Sequence, residues 1–447
     1  MAKAIKIRKG LNISIKGSPE QKTTEISHSE FYAVKPTDFP SLTPKMVVKV
    51  GDKVKVGTPI FFDKYRESIQ YVSPVSGEIA EVKRGAKRKI LEVIIKADKE
   101  FSFEAMNTSG DTKEVLLKSG LWPMIQQRPL AIVANPAESP KAIFVTGFDS
   151  SPLAPTYEYV LRGKQKELQA GFDALAKLTE GKVNLTIEVA DKNAGIFSQI
   201  TGIELNTIVG KHPAGNVGTQ IHHINPINKG ETVWTLNAID VATIGEFFLT
   251  GKLNLTKHIA LTGSEVKTPS YYTMWQGASI SNVINGNVDS ENNRFISGNV
   301  LTGENIGENG FLGYYANQIT VIPEGDHYKL SITEGWMAPG FKTLSNTKLF
   351  LSSLLSNKKE YDTDTNTNGE ERAFVLSGQY EQVFPMDIMP VQLIKATIVN
   401  DIDAMEKLGI YEVAPEDFAL CEFVCTSKIN SQQIIRDGLK VIQEECM

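Results

Sequence analysis

The sequence predicts a multi-domain protein of mixed α/β and α+β class, on three observations. Residues 46–95 run through two rounds of apolar–polar alternation broken at glycines, the pattern of short paired strands. Residues 111–255 alternate strand-like with helix-like runs, which argues for a parallel sheet covered by helices. From His258 the texture returns to strands and glycine turns, and from Pro390 it becomes helical. At 447 residues the chain exceeds what one hydrophobic core can organise, and length alone suggests roughly three domains.

Composition narrows the function classes. The chain is 41% apolar and 22% charged with a net charge of −5, which argues against nucleic acid as the main partner. No apolar run approaches the ~20 residues of a bilayer span. Residues 1–10 (MAKAIKIRKG) read as a basic alternating strand without the apolar core of a signal peptide. Three cysteines (Cys421, Cys425, Cys446) cannot build a disulfide framework and point to a reducing cytoplasm.

Residues 1–40 are strand-and-turn material ending in a bend at Pro36, Pro40 and Pro44. In 46–55 the alternation is interrupted by Gly51-Asp52, expected to be a tight hairpin turn. A second half follows at 69–82 (with SPVSGEI) and 90–95. This pairing resembles the barrel-sandwich fold of biotinyl and lipoyl domains, whose carrier lysine sits at a hairpin tip between the halves. Lys64 stands near that point. However, the 64–74 segment is longer than a carrier hairpin, and Tyr65-Arg66 replace the small residues usual beside the lysine. The scaffold is therefore expected without the acyl-carrier role. Residues 83–89 (KRGAKRK) carry five basic residues, read as a solvated hairpin loop or as a contact with acidic headgroups or a partner protein.

Asp111 is the expected N-cap of a helix that Gly120 stops. A buried strand at 141–146, an amphipathic helix at 161–179 and a strand at 183–189 follow. The stretch 208–226, IVGKHPAGNVGTQIHHINP, then breaks from a strand into a loop holding Gly210, Pro213, Gly215 and Gly218. Glycines after a strand let the backbone pass close to a ligand or to another piece of protein. His222 and His223 are expected on a strand after this loop, followed by a strand at 232–236 and a helix at 240–250 that ends at Gly251.

The chemistry of a redox centre is missing from this framework. No G-x-G-x-x-G occurs at a strand–helix junction, and Pro213 has no N–H to offer a phosphate. Lys211 and His212 are expected to fill the place of a phosphate instead. Cys421-x-x-x-Cys425 supplies two of the four thiolates an iron–sulfur cluster needs. Histidines and cysteines lie too far apart for a zinc site, and adjacent His222 and His223 would point to opposite faces of a strand. No catalytic, cofactor-binding or metal-ligating residue is expected in the chain.

Strands at 259–263 and 271–274, a short helix within 277–287 capped by Ser279, and a strand at 294–301 resemble the SLBB type of β-grasp domain. Gln276-Gly277-Ala278-Ser279 comes near a covalent flavin-attachment pattern, but the glutamine and the capping role of Ser279 count against it. A polar link at 357–371 precedes helices at 390–400, 403–408 and 431–445.

Several blocks then match one family in order. They are IKIRKGLNISIKGSPEQ (5–21), VKVGDKV (48–54), RGAKR (84–88), GKHPAGNVGTQIH (210–222), GASIS (277–281), NGEERAFVLSGQYEQVFPMDIMP (368–390) and ALCEFVC (419–425). On these the chain resembles the A subunits of bacterial sodium-translocating NADH:quinone oxidoreductases, redox-driven sodium pumps. The resemblance implies a barrel-sandwich domain (1–105), a Rossmann-like α/β domain (106–256), an SLBB β-grasp domain (257–340) and a C-terminal helical domain (341–447). It implies a peripheral subunit on the cytoplasmic membrane face, docked on the membrane B subunit, from where it can influence quinone. NADH, FAD, FMN, riboflavin, iron–sulfur centres and quinone belong to the complex, with none bound by this chain beyond a possible quinone contact. Cys421 and Cys425 look like the remainder of a cluster motif. The competing reading is an electron-input subunit of an Rnf-type complex that carries FMN and clusters of its own.

Overall fold

The computed structural model describes residues 4–189, 195–289, 291–330 and 360–446, and between them 332–333, 335, 337–341, 343–345 and 350–354. The first three residues of the predicted N-terminal strand and residues 357–359 of the predicted polar link lie outside the described residues.

Two short strands open the chain, β1 (Ile5–Lys6) and β2 (Glu20–Glu25). Then come β3 (Phe31–Val34), β4 (Pro44–Met46), β5 (Lys53–Val54), β6 (Pro59–Asp63), β7 (Arg66–Val72), β8 (Gly77–Arg84) and β9 (Ile90–Ala97). They form a four-stranded sheet, β3-β9-β8-β5, and a three-stranded one, β4-β6-β7. Gly51-Asp52 does not close a hairpin, because β4 and β5 belong to different sheets. The chain crosses between sheets there, and the Asp52 carboxylate accepts from the Lys49 N–H at 2.9 Å to hold the turn.

The α/β part holds α1 (Thr112–Ser119), β10 (Gln126–Arg128), β11 (Ile132–Val133), β12 (Ala142–Thr146), α2 (Tyr157–Val160) and α3 (Gln165–Ala176). It continues with β13 (Lys182–Glu188), β14 (Glu204–Val209), α4 (Val217–Ile224), β15 (Val233–Asn237) and α5 (Ala238–Thr250). As expected, Asp111 caps α1 by accepting from Glu114 N, and Gly120 ends it in the left-handed conformation. The helix expected over 161–179 is shorter, because Gly163, at φ +81, separates α2 from α3. The sheet order is β1-β14-β13-β12-β15-β10-β11. β12, β13, β14 and β15 run parallel, β10 and β11 close the edge antiparallel, and β1 adds to the other edge parallel to β14.

His222 and His223 lie on α4, not on a strand. Val217, Ile221 and Ile224 recur at helical spacing and pack toward Ala142 and Phe144 of β12, which is why the segment coils.

A six-stranded sheet follows, built from β16 (Thr256–Thr262), β17 (Ser270–Trp275), β18 (Asn293–Ser297), β19 (Glu304–Asn305) and β20 (Gln318–Pro323), with α6 (Ser281–Ile284) between β17 and β18. Its order is β19-β18-β20-β16-β17-β2, so β2 is its edge. The strand expected to reach Leu301 stops at Ser297. The N-cap of α6 is Ile280, one residue after Ser279, whose hydroxyl accepts from Ser281 N at 3.4 Å.

Helices close the chain: α7 (Tyr380–Val383), α8 (Pro390–Ile398), α9 (Ile402–Lys407), α10 (Ala419–Val424) and α11 (Ser431–Glu445). They surround a core of their own that includes Phe384, Leu393, Ile394, Phe418, Ile435 and Ile442. Ile13, Ile15, Leu130 and Ile132 join that core from distant parts of the chain. A larger core runs continuously through the three sheet-bearing regions.

The first 25 residues are therefore shared among units. Beyond β1, Gly10 N–H donates to Gln382 O at 3.1 Å and Leu11 N–H to His212 O at 2.9 Å. Gly263 N–H donates to Gly17 O at 3.1 Å before β2 joins β17. No helix among the described residues is long and apolar enough to cross a membrane.

Candidate functional site

In an open α/β sheet, ligands bind beyond the carboxyl ends of the strands where the winding reverses. Here that point lies between β12 and β15, since β13 and β14 wind away on one side and β15 returns on the other. The loop from Gly210 to Asn216, between β14 and α4, sits at the same end.

Gly218 falls in α4 and not in the loop as expected, and it and the loop's Gly210 and Gly215 are each taken up by a protein contact. A Cβ at Gly210 would lie 2.5 Å from the Cβ of Ile7, just beyond β1. One at Gly215 would lie 2.5 Å from Ser150 N, and one at Gly218 would lie 2.4 Å from Arg128 Nη1 and 2.6 Å from Asp417 Oδ1. The Gly215 N–H, which a phosphate would need, donates to Ser150 Oγ at 2.8 Å. Ser150 Oγ also meets His212 Nδ1 at 3.0 Å, and Thr146 Oγ1 donates to Gly215 O at 3.1 Å.

Of the two side chains expected to fill the loop, His212 is buried and Lys211 is at the surface. His212 is buried, and its backbone N–H donates to Asn12 Oδ1 at 2.8 Å. Burial lowers its pKa to about 4, so the ring is neutral at pH 7. Lys211 is exposed. The backbone at Gly215 and Gly218 packs against Ser150 and against the Arg128–Asp417 pair, neighbours that the sequence does not place there.

Arg128 is the hub of that pair. It is 2% exposed, donates from Nη1 to Asp417 Oδ2 at 2.6 Å and from Nη2 to Glu416 Oε1 at 2.5 Å, and reaches Glu412 O at 3.1 Å. Burial opposes its charge, but the two carboxylates outweigh it and raise its pKa. The guanidinium joins β10 to the turn ahead of α10. His222 makes a second link: its Nδ1 lies 2.8 Å from Glu412 Oε2, and its Nε2 accepts the Asp387 N–H at 2.9 Å. That acceptor role puts the ring proton on Nδ1 in this geometry. His223 is exposed and turns its Nδ1 back to Thr219 O at 2.9 Å.

Beside the filled loop lies a cavity of about 250 Å³. Thr146 and Asn237 line it from the ends of β12 and β15, with Asp149, His212, Asp240 and Glu416 around them. Its described lining includes three carboxyl groups and no lysine or arginine. Burial raises the pKa of Asp149, Asp240 and Glu416, with Lys257 opposing the shift at Asp240 and Arg128 opposing it at Glu416. Such a lining offers a phosphate no cation.

The other positions raised by the sequence lie away from this loop. Lys64 does stand at a hairpin tip, between β6 and β7, with its ammonium 5.5 Å from the Tyr65 ring centre. Below it the buried Asp63 pairs with Arg66 Nε at 2.8 Å and accepts the Tyr65 N–H. Gln276-Gly277-Ala278-Ser279 forms a junction with β3: Ala33 N–H donates to Gly277 O at 2.8 Å and Ser279 N–H to Phe31 O at 3.3 Å. Cys421 and Cys425 are buried in the helical core, and burial raises the Cys421 thiol pKa well above its ordinary range. Among the described residues no group of three or more His, Cys, Asp or Glu is arranged to hold a metal ion.

Comparison with known proteins places these features in a family. Residues 5–98 match the model of the NqrA N-terminal barrel-sandwich hybrid domain, residues 107–253 that of the NqrA second alpha/beta domain, and residues 258–307 that of the NQRA C-terminal domain. The chain is 37% identical over 454 residues to the A subunit of the Na(+)-translocating NADH-quinone reductase of Rhodopirellula baltica, with 98% of each chain covered. It is 38% identical over 455 residues to the protein of that name from Neisseria meningitidis serogroup B, covering 99% of this chain and 100% of the relative. The match to that of Alcanivorax borkumensis is 37% over 453 residues, with 99% and 100% covered. Alike over its whole length to proteins of one name, and built of the sheets and helices described above, the chain belongs to the family of A subunits of Na(+)-translocating NADH-quinone reductases.

Proposed function

We propose that this chain is the peripheral A subunit of a sodium-translocating NADH:quinone reductase, docked from the cytoplasmic face on the membrane B subunit. In this reading it binds no flavin or cluster of its own and influences quinone access from that position. The full-length relatives supply the complex. The observation that carries the chain's own role is the glycine loop, whose close approaches are made to Ile7, Ser150 and Arg128. A loop closed by its own protein acts as a fastening between units, which suits a component that positions others. The Rnf-type input reading needs that loop open to a flavin phosphate.

Two sets of measurements test the proposal, one of ligand binding and one of docking. The purified chain should show no flavin absorption band, and NADH titrated by calorimetry should bind no tighter than about millimolar, roughly −4 kcal/mol. Stoichiometric flavin, or a micromolar NADH site, would restore the input-subunit reading. Removal of the B subunit should release the chain from the membrane fraction, and retention there would refute the docking. Lys211→Ala should leave both results unchanged, because that side chain is exposed.

A further inference from the structure

The hairpin joining β8 to β9 ends in Lys83, Arg84, Gly85, Ala86, Lys87, Arg88 and Lys89, and all five cations lie at the surface. Among the described residues only Lys83 has an acidic partner, Glu92 at 2.9 Å. Arg84 turns its Nη1 to Arg88 O at 3.2 Å.

The backbone at the tip is specific. Gly85 N–H donates to Lys89 O at 2.8 Å and Lys89 N–H to Ala86 O at 3.1 Å, closing a tight turn over 86–89. The two central residues, Lys87 and Arg88, sit at φ +54 and +61. A pair of positive φ values is the mirror-image turn of hairpins, and Asn-Gly is the pair it favours. Lysine and arginine gain nothing from that conformation and are sterically strained in it. They do occupy the point of greatest reach. Where local preference and sequence disagree, the residue is held for something other than folding.

We infer that this tip rests on anionic lipid headgroups. The inference depends on the reading of the chain as peripheral to a membrane. Five like charges on long stems, only Lys83 among them paired with a carboxylate, match a diffuse sheet of negative charge better than a single shaped partner. The chain as a whole carries −5, so the tip is a positive pole on an acidic body and would orient it at the surface. Each lysine or arginine near such a surface favours binding by about fivefold at moderate salt.

The test uses the full chain, sedimented with phosphatidylcholine vesicles that do or do not contain phosphatidylglycerol. Binding is expected only with phosphatidylglycerol and should be lost at high salt. Lys87→Asn with Arg88→Gly installs the pair that the turn prefers. That variant should melt no lower than the wild type yet bind phosphatidylglycerol vesicles about tenfold or more weakly. Adding Arg84→Gln and Lys89→Gln should abolish binding. Equal binding by wild type and double variant, or equal binding to both vesicles, overturns the inference. So does a double variant that keeps its vesicle affinity but no longer co-purifies with the B subunit, since the tip would then serve a protein partner. Because the vesicles contain no other protein, failure of docking on the B subunit is read separately.

Discussion

At His212 one ring nitrogen meets Ser150 Oγ, while the residue's backbone N–H is held by Asn12. Its folded pKa of about 4 lies below the ordinary 6.5. Below pH 6.5 the unfolded chain therefore takes up a proton that the folded chain refuses. The stability tied to this group is complete above pH 6.5 and falls as pH drops toward 4, by about 1.4 kcal/mol per unit. His258, held low by burial and by Lys164, acts in the same direction. Asp149, Asp240 and Glu416, whose pKa values are raised, act in the opposite one. Urea unfolding of wild type and His212→Gln at pH 6.5 and pH 5 isolates the histidine. The wild type should lose about 2 kcal/mol more than the variant over that interval. Equal losses would mean that His212 does not titrate there.

Among elements, α3 crosses α5 closely. A Cβ at Gly245 would lie 1.7 Å from Glu167 O, and one at Gly171 would lie 2.1 Å from Val241 O. Two glycines bring these helices together backbone to backbone. Gly245→Ala should destabilise the chain by about 2 kcal/mol or more, since overpacking against main chain outweighs the ~1 kcal/mol that alanine gains in helix propensity. A melting temperature equal to or above the wild type's would show that the crossing gives way freely. Elements of this kind were largely legible in the sequence, because their signals are local. Asp111, Gly120 and Gly251 mark helix ends by cap chemistry alone, and α8, α9 and α11 fall within two residues of their predicted starts. The helix α4 was legible too, through Val217, Ile221 and Ile224, but two adjacent histidines after a glycine loop read as a strand. The fillers of the glycine loop were not legible. Ser150 lies 65 residues from Gly215, and Arg128 lies 289 from Asp417, separations that no periodicity reports.

On the scale of the whole molecule, the N-terminal 25 residues bind units that are far apart in the chain. They supply an edge to two sheets and place Ile13 and Ile15 in the helical core. Deleting residues 1–25 should cost that core about 1.5–3 kcal/mol for each isoleucine and uncover the edges of β14 and β17. Limited proteolysis should then release the C-terminal helices well before the sheets are cut. A truncated protein cleaved at the same rate and in the same order as the intact one would mean that the segment is dispensable.

The same segment bears on how the protein is made. A ribosome delivers it well before the C-terminal helices, yet Gly10 finds its acceptor at Gln382. At ~5–20 residues per second, roughly 20 to 75 s separate the synthesis of those two positions. β14 and β17 can take up the two strands partway through that interval, but the Gly10 N–H and the side chains of Ile13 and Ile15 must wait for the C-terminal helices. The last helices to emerge complete a fold whose first residues have been in solution longest. Nascent chains arrested before residue 380 should accordingly keep residues 10–15 open to chaperones and proteases, and chains that include the C-terminal helices should withdraw them.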